Sequence, residues 1–497
     1  MATPSLLSLR CKRAFLFGLA SLIFASECLA SPSISISPSS GPPTTQITVR
    51  GAGFKPFAAI DIYFDRNDEA LAVANGSGTF SGIVISATGS ATPGTHWVSA
   101  VQRSVKIGAQ VPFLVNTNWS QFHFSANHVG FNPYENVLSP STVPGMTLDW
   151  SFAADGQVGL SPAEANGIVY APGVFQLSAL NASTGAVLWQ YSVAGFLGTP
   201  TVINGTIYFS SSDGNVYALN AHTGAVRWNS TIPNGLPGSP LTVANGLVFA
   251  NSNTSLYVLN ASTGSQVWTY NAGASILCLP AVANGVVYFG AEYQNLYALN
   301  ASTGSLLWQV TLPFYFDSAP TVVNGMVYVG AGSNVFALNA SNGQTVWQYT
   351  TDSFERTSPA FSNGVVYVAS DGGFLYALNA YTGALQWSYN TASGDDGFPP
   401  SSPSVANGVV YAGFQNNNIY AFDVANGNLL WEYATGGAIS STPAVANGAV
   451  YIGSWDGNLY AFHAAPPLGA RGQTEEFLDL NSLQPDMNLR VSTPVVR

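Results

Sequence analysis

"AVANGVVYFG", residues 281–290, sets two short apolar runs on either side of Asn284 and Gly285. Asn-Gly between such runs is the strongest short-range signal for a type I′ hairpin, because both central residues need positive φ. The pair recurs at Asn166, Asn204, Asn245, Asn324, Asn363, Asn407 and Asn447, each followed by Gly, at spacings of 38 to 44 residues. A second ladder keeps step with it: Trp150, Trp189, Trp228, Trp268, Trp308, Trp347, Trp387 and Trp431. The full unit is clearest in "SPLTVANGLVFANSNTSLYVLNASTGSQVWTY", residues 239–270, which reads as four short strands joined by tight turns. Several of these strands are apolar without strict alternation, as expected of sheets covered on both faces. Four strands at a period of about 40 residues, eight times over, is the arithmetic of an all-β, eight-bladed β-propeller.

The count also shows how the ring closes. Seven units run intact from Asn-Gly to Trp, whereas the eighth ends after "GNLYAF" (457–462) with no Trp of its own. Trp150, in "MTLDWSF", is the spare, so the N-terminal segment is expected to supply the outermost strand of the last blade and leave no open edge. The eight tryptophans are then packing residues between blades.

The flanking segments read differently. Residues 1–30 combine Arg10, Lys12 and Arg13 with the apolar "AFLFGLASLIFA" and a small-residue "CLA" before Ser31, the pattern of a cleaved signal peptide. Acylation at Cys28 is the alternative, with Glu27 standing where a small residue belongs. Residues 32–116 show short alternating runs between Gly- and Pro-rich turns, the signature of a small antiparallel β-sandwich. Its "ISISPSSGPPTTQITVRGAGF" resembles the immunoglobulin-like IPT/TIG modules of extracytoplasmic proteins. Residues 466–497 break both ladders and read as a flexible tail.

Charged residues make up 7% of the chain, against about 25% in ordinary domains. Losing three basic residues and Glu27 with the leader takes the net charge from −11 to −13. Nucleic acid is not an expected partner, because phosphate binding needs a basic face. No later stretch reaches the ~20 apolar residues of a membrane span. Cys278 is then the single cysteine and reads as a small buried residue. A secreted or periplasmic monomer is expected.

The phrase "VYALNASTGAVRW", residues 216–228, and its relatives across 150–463 resemble the repeat of pyrroloquinoline-quinone (PQQ)-type β-propellers, BamB-like scaffolds among them. "WSQFHFSANHVGFNP", residues 119–133, is similar to the entry segment of that group. The resemblance covers about 350 residues, 117–465. It implies a propeller fold, but the group holds quinoprotein dehydrogenases and non-catalytic scaffolds alike, so fold does not decide function. A PQQ site of that family implies cations for three carboxylates, Ca²⁺ ligands and adjacent cysteines. This chain has no Cys-Cys pair, and residues 117–465 contain no Lys and only Arg227 and Arg356 against fifteen acidic residues. Such a pocket would be under-neutralised, so neither PQQ nor Ca²⁺ is expected. Arg227 reads as a solvated strand residue. His96, His123, His128, His222 and His463 have no metal spacing. Asp213, Asp371 and Asp456 recur at the second turn of the blade and read as turn formers.

What remains is the set of connections from one blade's last strand to the next blade's first. In "TLPFYFDSAP" (311–320), "TTDSFERTSP" (350–359) and "ASGDDGFPPSSP" (392–403) the repeat relaxes and aromatic and charged residues cluster. Function can sit in such loops without disturbing the fold. Phe314, Tyr315, Phe316, Asp317, Phe354, Glu355, Arg356, Asp395, Asp396 and Phe398 are therefore the expected contact surface, aromatic anchors in an acidic rim for a protein partner. Asp395 and Asp396 could together attract a cation. The expected function is a non-catalytic protein-interaction scaffold; the alternatives are a PQQ-dependent alcohol or sugar dehydrogenase and a carbohydrate-binding adhesin.

Overall fold

A computed structural model describes residues 31–464 apart from 234–239, 277, 293, 317 and 395–397. The leader read at 1–30 and the tail read at 466–497 lie outside the described residues. Residues 33–115 form a three-stranded sheet (Ser33–Ser37, Gln46–Ala52, Phe80–Ser86) and a five-stranded one (Ser40–Gly41, Ala59–Phe64, Asn67–Val73, Gly94–Gln102, Ile107–Val115). Ile47 and Val49 of the first share a core with Ile60, Ile62, Phe64, Val98 and Phe113 of the second.

Among the described residues of 146–464, eight sheets contain four consecutively hydrogen-bonded antiparallel strands each. Blade one runs from Ala163 to Ser192, and blade eight combines Ala444–Ala446, Ala449–Gly453 and Asn458–Ala464 with the N-terminal strand Met146–Ala153. The first strands of successive blades touch in a closed circuit that returns from blade eight to blade one. Every hairpin asparagine has positive φ, from 42° at Asn407 to 55° at Asn166, and so does each following glycine, as a type I′ turn demands. Second and third strands are buried almost throughout, while fourth strands alternate toward solvent.

The tryptophan ladder is a set of staples. The indole N–H of Trp189 donates to Ala221 O of the next blade at 3.0 Å, Trp228 to Ala261 O at 2.9 Å, and Trp347 to Ala380 O at 2.8 Å. The ring closes by the same device: Trp431 donates to Met146 O at 3.1 Å and Trp150 to Ala182 O at 2.9 Å. Each ring from Trp150 to Trp387 also lies over the turn glycine of the next blade, so close that a Cβ on Gly304 would stand 2.6 Å from the Trp268 ring.

The lead-in segment fills the middle of the ring. First strands have an unpaired inner edge, and buried N–H groups require acceptors. The N–H groups of Val202, Val282, Val322, Phe361 and Val405, each two residues before a hairpin asparagine, donate to the carbonyls of Ser120, Ala126, Asn127, Val129 and Gly130 at 2.6 to 2.9 Å. Trp119 and Glu164 exchange two backbone bonds, Asn132 Nδ2 donates to Val445 O, and His128 meets Thr242 of blade three. Residues 119–132 thus visit all eight first strands, and Phe131–Asn132 adds a parallel strand to blade seven.

Candidate functional site

An antiparallel blade puts its second-to-third turn and its connection to the next blade at one end, the loop face, and its Asn-Gly hairpin and third-to-fourth turn at the other, the hairpin face. The lead-in segment is tied at the hairpin face. Thr117 N donates to Asn447 Oδ1 at 2.7 Å, Gly448 N to Glu135 at 3.0 Å, and Asn136 Nδ2 reaches Ala91 O of the 33–115 sandwich. Glu164, fully buried beneath it, accepts from Gly167 N and Asn447 Nδ2, and burial raises its carboxyl to about 7. His123 and His128 are buried in the channel and held at about 4 and about 3, burial being the main cause for both. Both are neutral at physiological pH.

The loop face carries most of the exposed aromatics of the described blades, Tyr381 on the hairpin face being an exception. Phe314, Tyr315, Phe354 and Phe398 are 38%, 61%, 55% and 47% exposed. Backbone bonds knit these connections to the neighbouring turns, Gly332 N to Tyr315 O at 3.2 Å and Asp371 N to Phe354 O at 3.0 Å. Three further aromatics on this face escaped the sequence reading. Phe175 and Phe196 are exposed and stack at 5.3 Å, and Trp455 packs edge-on to Phe398 at 4.8 Å. "VAGFLGTP", around Phe196, is a connection of the same kind as those singled out, which was the available signal.

Phe316 and Glu355, expected on the surface, point inward instead. Phe316 is 1% exposed and belongs to the core with Cys278 and Leu312. It stands four residues before Pro320, where Val158 and Ile439, four before Pro162 and Pro443, are also buried. Each presses on a glycine six residues past a hairpin asparagine: Gly290, Gly453 and Gly413. Glu355, four before Pro359, occupies the same position against Gly330 and is likewise 1% exposed. Neither of its carboxyl oxygens has a hydrogen-bond partner of good geometry. Burial holds the carboxyl well above the usual range, outweighing the Thr351 hydroxyl that opposes it, and the charges of Asp352 and Asp371 add to the rise. Arg356 pairs with Asp371, which is fully buried and is therefore an ion-pair partner as well as a turn former. Asp317, Asp395 and Asp396 lie outside the described residues.

These residues do not fit a PQQ site. The one arginine of the loop face is committed to Asp371 with Glu355 beside it, Arg227 sits on the hairpin face, and the channel mouth between them holds the chain's own segment. Among the described residues no group of three or more His, Cys, Asp or Glu could hold a metal ion. No described helix is long and apolar enough to cross a membrane.

The family model for the outer membrane protein assembly factor BamB matches residues 139–276 and 329–468. Among solved structures, BamB from Moraxella catarrhalis is 19% identical with a TM-score of 0.56, over 64% of this chain and 99% of that one. A europium-containing methanol dehydrogenase is 14% identical with a TM-score of 0.61, over 70% and 98%. Quinohemoprotein alcohol dehydrogenase from Comamonas testosteroni is 14% identical with a TM-score of 0.58, over 70% and 80%. No curated protein matches the sequence. At these identities the likeness to solved structures speaks for the fold alone.

Proposed function

This chain belongs to the BamB family of PQQ-type repeat propellers, and from that premise we propose that it is a non-catalytic scaffold outside the cytoplasm that docks a protein partner on its loop face. The observation that carries this reading is the concentration of exposed aromatic side chains on that face, while the channel is filled by residues 119–132. Aromatic anchors give large contact area at low conformational cost, which is why they dominate interface hot spots. Phe354 beside the Arg356–Asp371 pair offers such an anchor next to fixed polar groups.

The test is a photo-crosslinking amino acid placed at Tyr315 and Phe354, and at Tyr381 on the hairpin face as a control, in the full chain expressed in a bacterial envelope. One defined protein adduct from Tyr315 and Phe354 but not from Tyr381 supports the reading; equal labelling from both faces, or none, defeats it. A calcium-dependent thermal shift with PQQ would favour the dehydrogenase reading instead, since a ligand at 100 times its Kd adds about 2.7 kcal/mol to stability.

A further inference from the structure

On the hairpin face a groove of about 460 Å³ runs between blades two and three, lined by Asn204, Tyr208, Arg227, Trp228, Asn245 and Ser262 among others. The equivalent groove between blades four and five, about 430 Å³, has Leu307 and Trp308 where the first has Arg227 and Trp228. In every blade the residue before the tryptophan is the extra residue of a β-bulge. Trp228 pairs with Ala218 and Val226 with Leu219, leaving Arg227 opposite no partner, and Leu307 is skipped in the same way. A bulge re-aims a side chain, here into the groove beside the staple.

Across the eight blades that position holds Asp149, Leu188, Arg227, Val267, Leu307, Val346, Gln386 and Leu430. Five of the eight are aliphatic, and blade two alone places a cation there. Arg227 anchors one Nη2 donor on Gly205 O at 3.1 Å and makes no ion pair with a described residue. No acidic residue lines the groove. A guanidinium offers a planar fork of donors that matches a carboxylate.

We propose that this groove binds a uronic acid residue of a polysaccharide. The single cation matches one carboxylate and would under-neutralise a phosphate dianion. The half-buried Trp228, backed by the buried Tyr208, gives an apolar wall for the flat face of a sugar ring, and Asn204, Asn245 and Ser262 bring amide and hydroxyl groups for its hydroxyls. The site lies on the face opposite the aromatic loops and stands independently of the partner proposed there. Described contacts of the lead-in segment and sandwich with the hairpin turns fall on blades seven, eight and one, and leave blades two to five clear.

Titration of the full chain with trigalacturonate and with neutral galactotriose, followed by calorimetry, tests the assignment. One trigalacturonate should bind per chain, at least about ten-fold tighter than the neutral sugar, the order expected for charge-assisted hydrogen bonds. Arg227→Leu should abolish the preference with an unchanged melting midpoint, because leucine fills this position in three other blades. Leu307→Arg should add a second equivalent site. Equal affinity for both sugars, a preference that survives Arg227→Leu, or equal competition by acetate or a peptide C-terminus would overturn the proposal.

Discussion

The interblade staples differ in one respect that stability measurements can resolve. Ala261 O accepts from Trp228 at 2.9 Å and also from Tyr208 OH at 3.1 Å. Ala301 O accepts from Trp268 at 3.1 Å, and Phe249, which has no hydroxyl, stands where Tyr208 stands in the preceding blade. Trp228→Phe and Trp268→Phe remove the same indole N–H and nearly the same ring area, so transfer and cavity costs cancel between them. What does not cancel is the Ala301 carbonyl left without a side-chain donor, in a residue only 3% exposed. An unsatisfied buried acceptor costs about 1–3 kcal/mol, so Trp268→Phe should be the less stable variant by about that amount. Guanidinium unfolding followed by far-ultraviolet circular dichroism, with equal m-values required for the comparison, reads the difference. Adding Phe249→Tyr to Trp268→Phe should recover part of the loss. Equal midpoints for the two single variants, or no recovery, would refute the reasoning.

Glu355→Val, which installs the residue found at Val158, should stabilise the protein at neutral pH by about 1–3 kcal/mol in the same denaturation assay. The carboxyl is raised in the fold, so the stability it contributes is present below the unfolded pKa of about 4.3 and lost as pH rises toward the folded value; the variant should lack that decline. His123 and His128 act in the opposite sense. Their folded values of about 4 and about 3 mean that stability present above about 6.5 is lost as pH falls, and His128→Gln should flatten the acid limb of a pH series of melting midpoints. Gly304→Ala, with φ +72° and a Cβ 2.6 Å from Trp268, should cost about 2–4 kcal/mol from the left-handed backbone and overpacking together, measured by guanidinium midpoint.

The repeat was legible because its constraints are local. Asn284-Gly285 must turn with positive φ, and the spare Trp150 has one blade left to serve, so hairpins and ring closure follow from composition and counting. The plug was not legible. Residues 119–132 have no internal period, and their role depends on the unpaired edges of eight strands distant in sequence. Glu355 and Phe316 failed for a subtler reason: in the linear sequence they belong to irregular charged and aromatic loops. Counted back from Pro359 and Pro320, they fall in register with Val158 and Ile439, and that register, rather than their polarity, decides burial. Phe354 and Tyr315, one residue earlier in each loop, point outward by the same rule.

The joint between Met146–Ala153 and Asn458–Ala464 also governs when the molecule can exist at all. Its first half is among the earliest repeat residues to be synthesised and its second half is the last. Until residues 444–464 arrive, seven finished blades have no eighth to complete the circuit, and the lead-in segment lacks Val445 and Asn447 as anchors. The entropic cost of joining ends so far apart rises only slowly with chain length, so what delays closure is waiting rather than searching. A chain cut short by even one strand would carry a permanently open seam, with unpaired edges at both ends of the arc. The Asn458–Ala464 strand therefore acts as a clasp that separates a closed ring from an open arc.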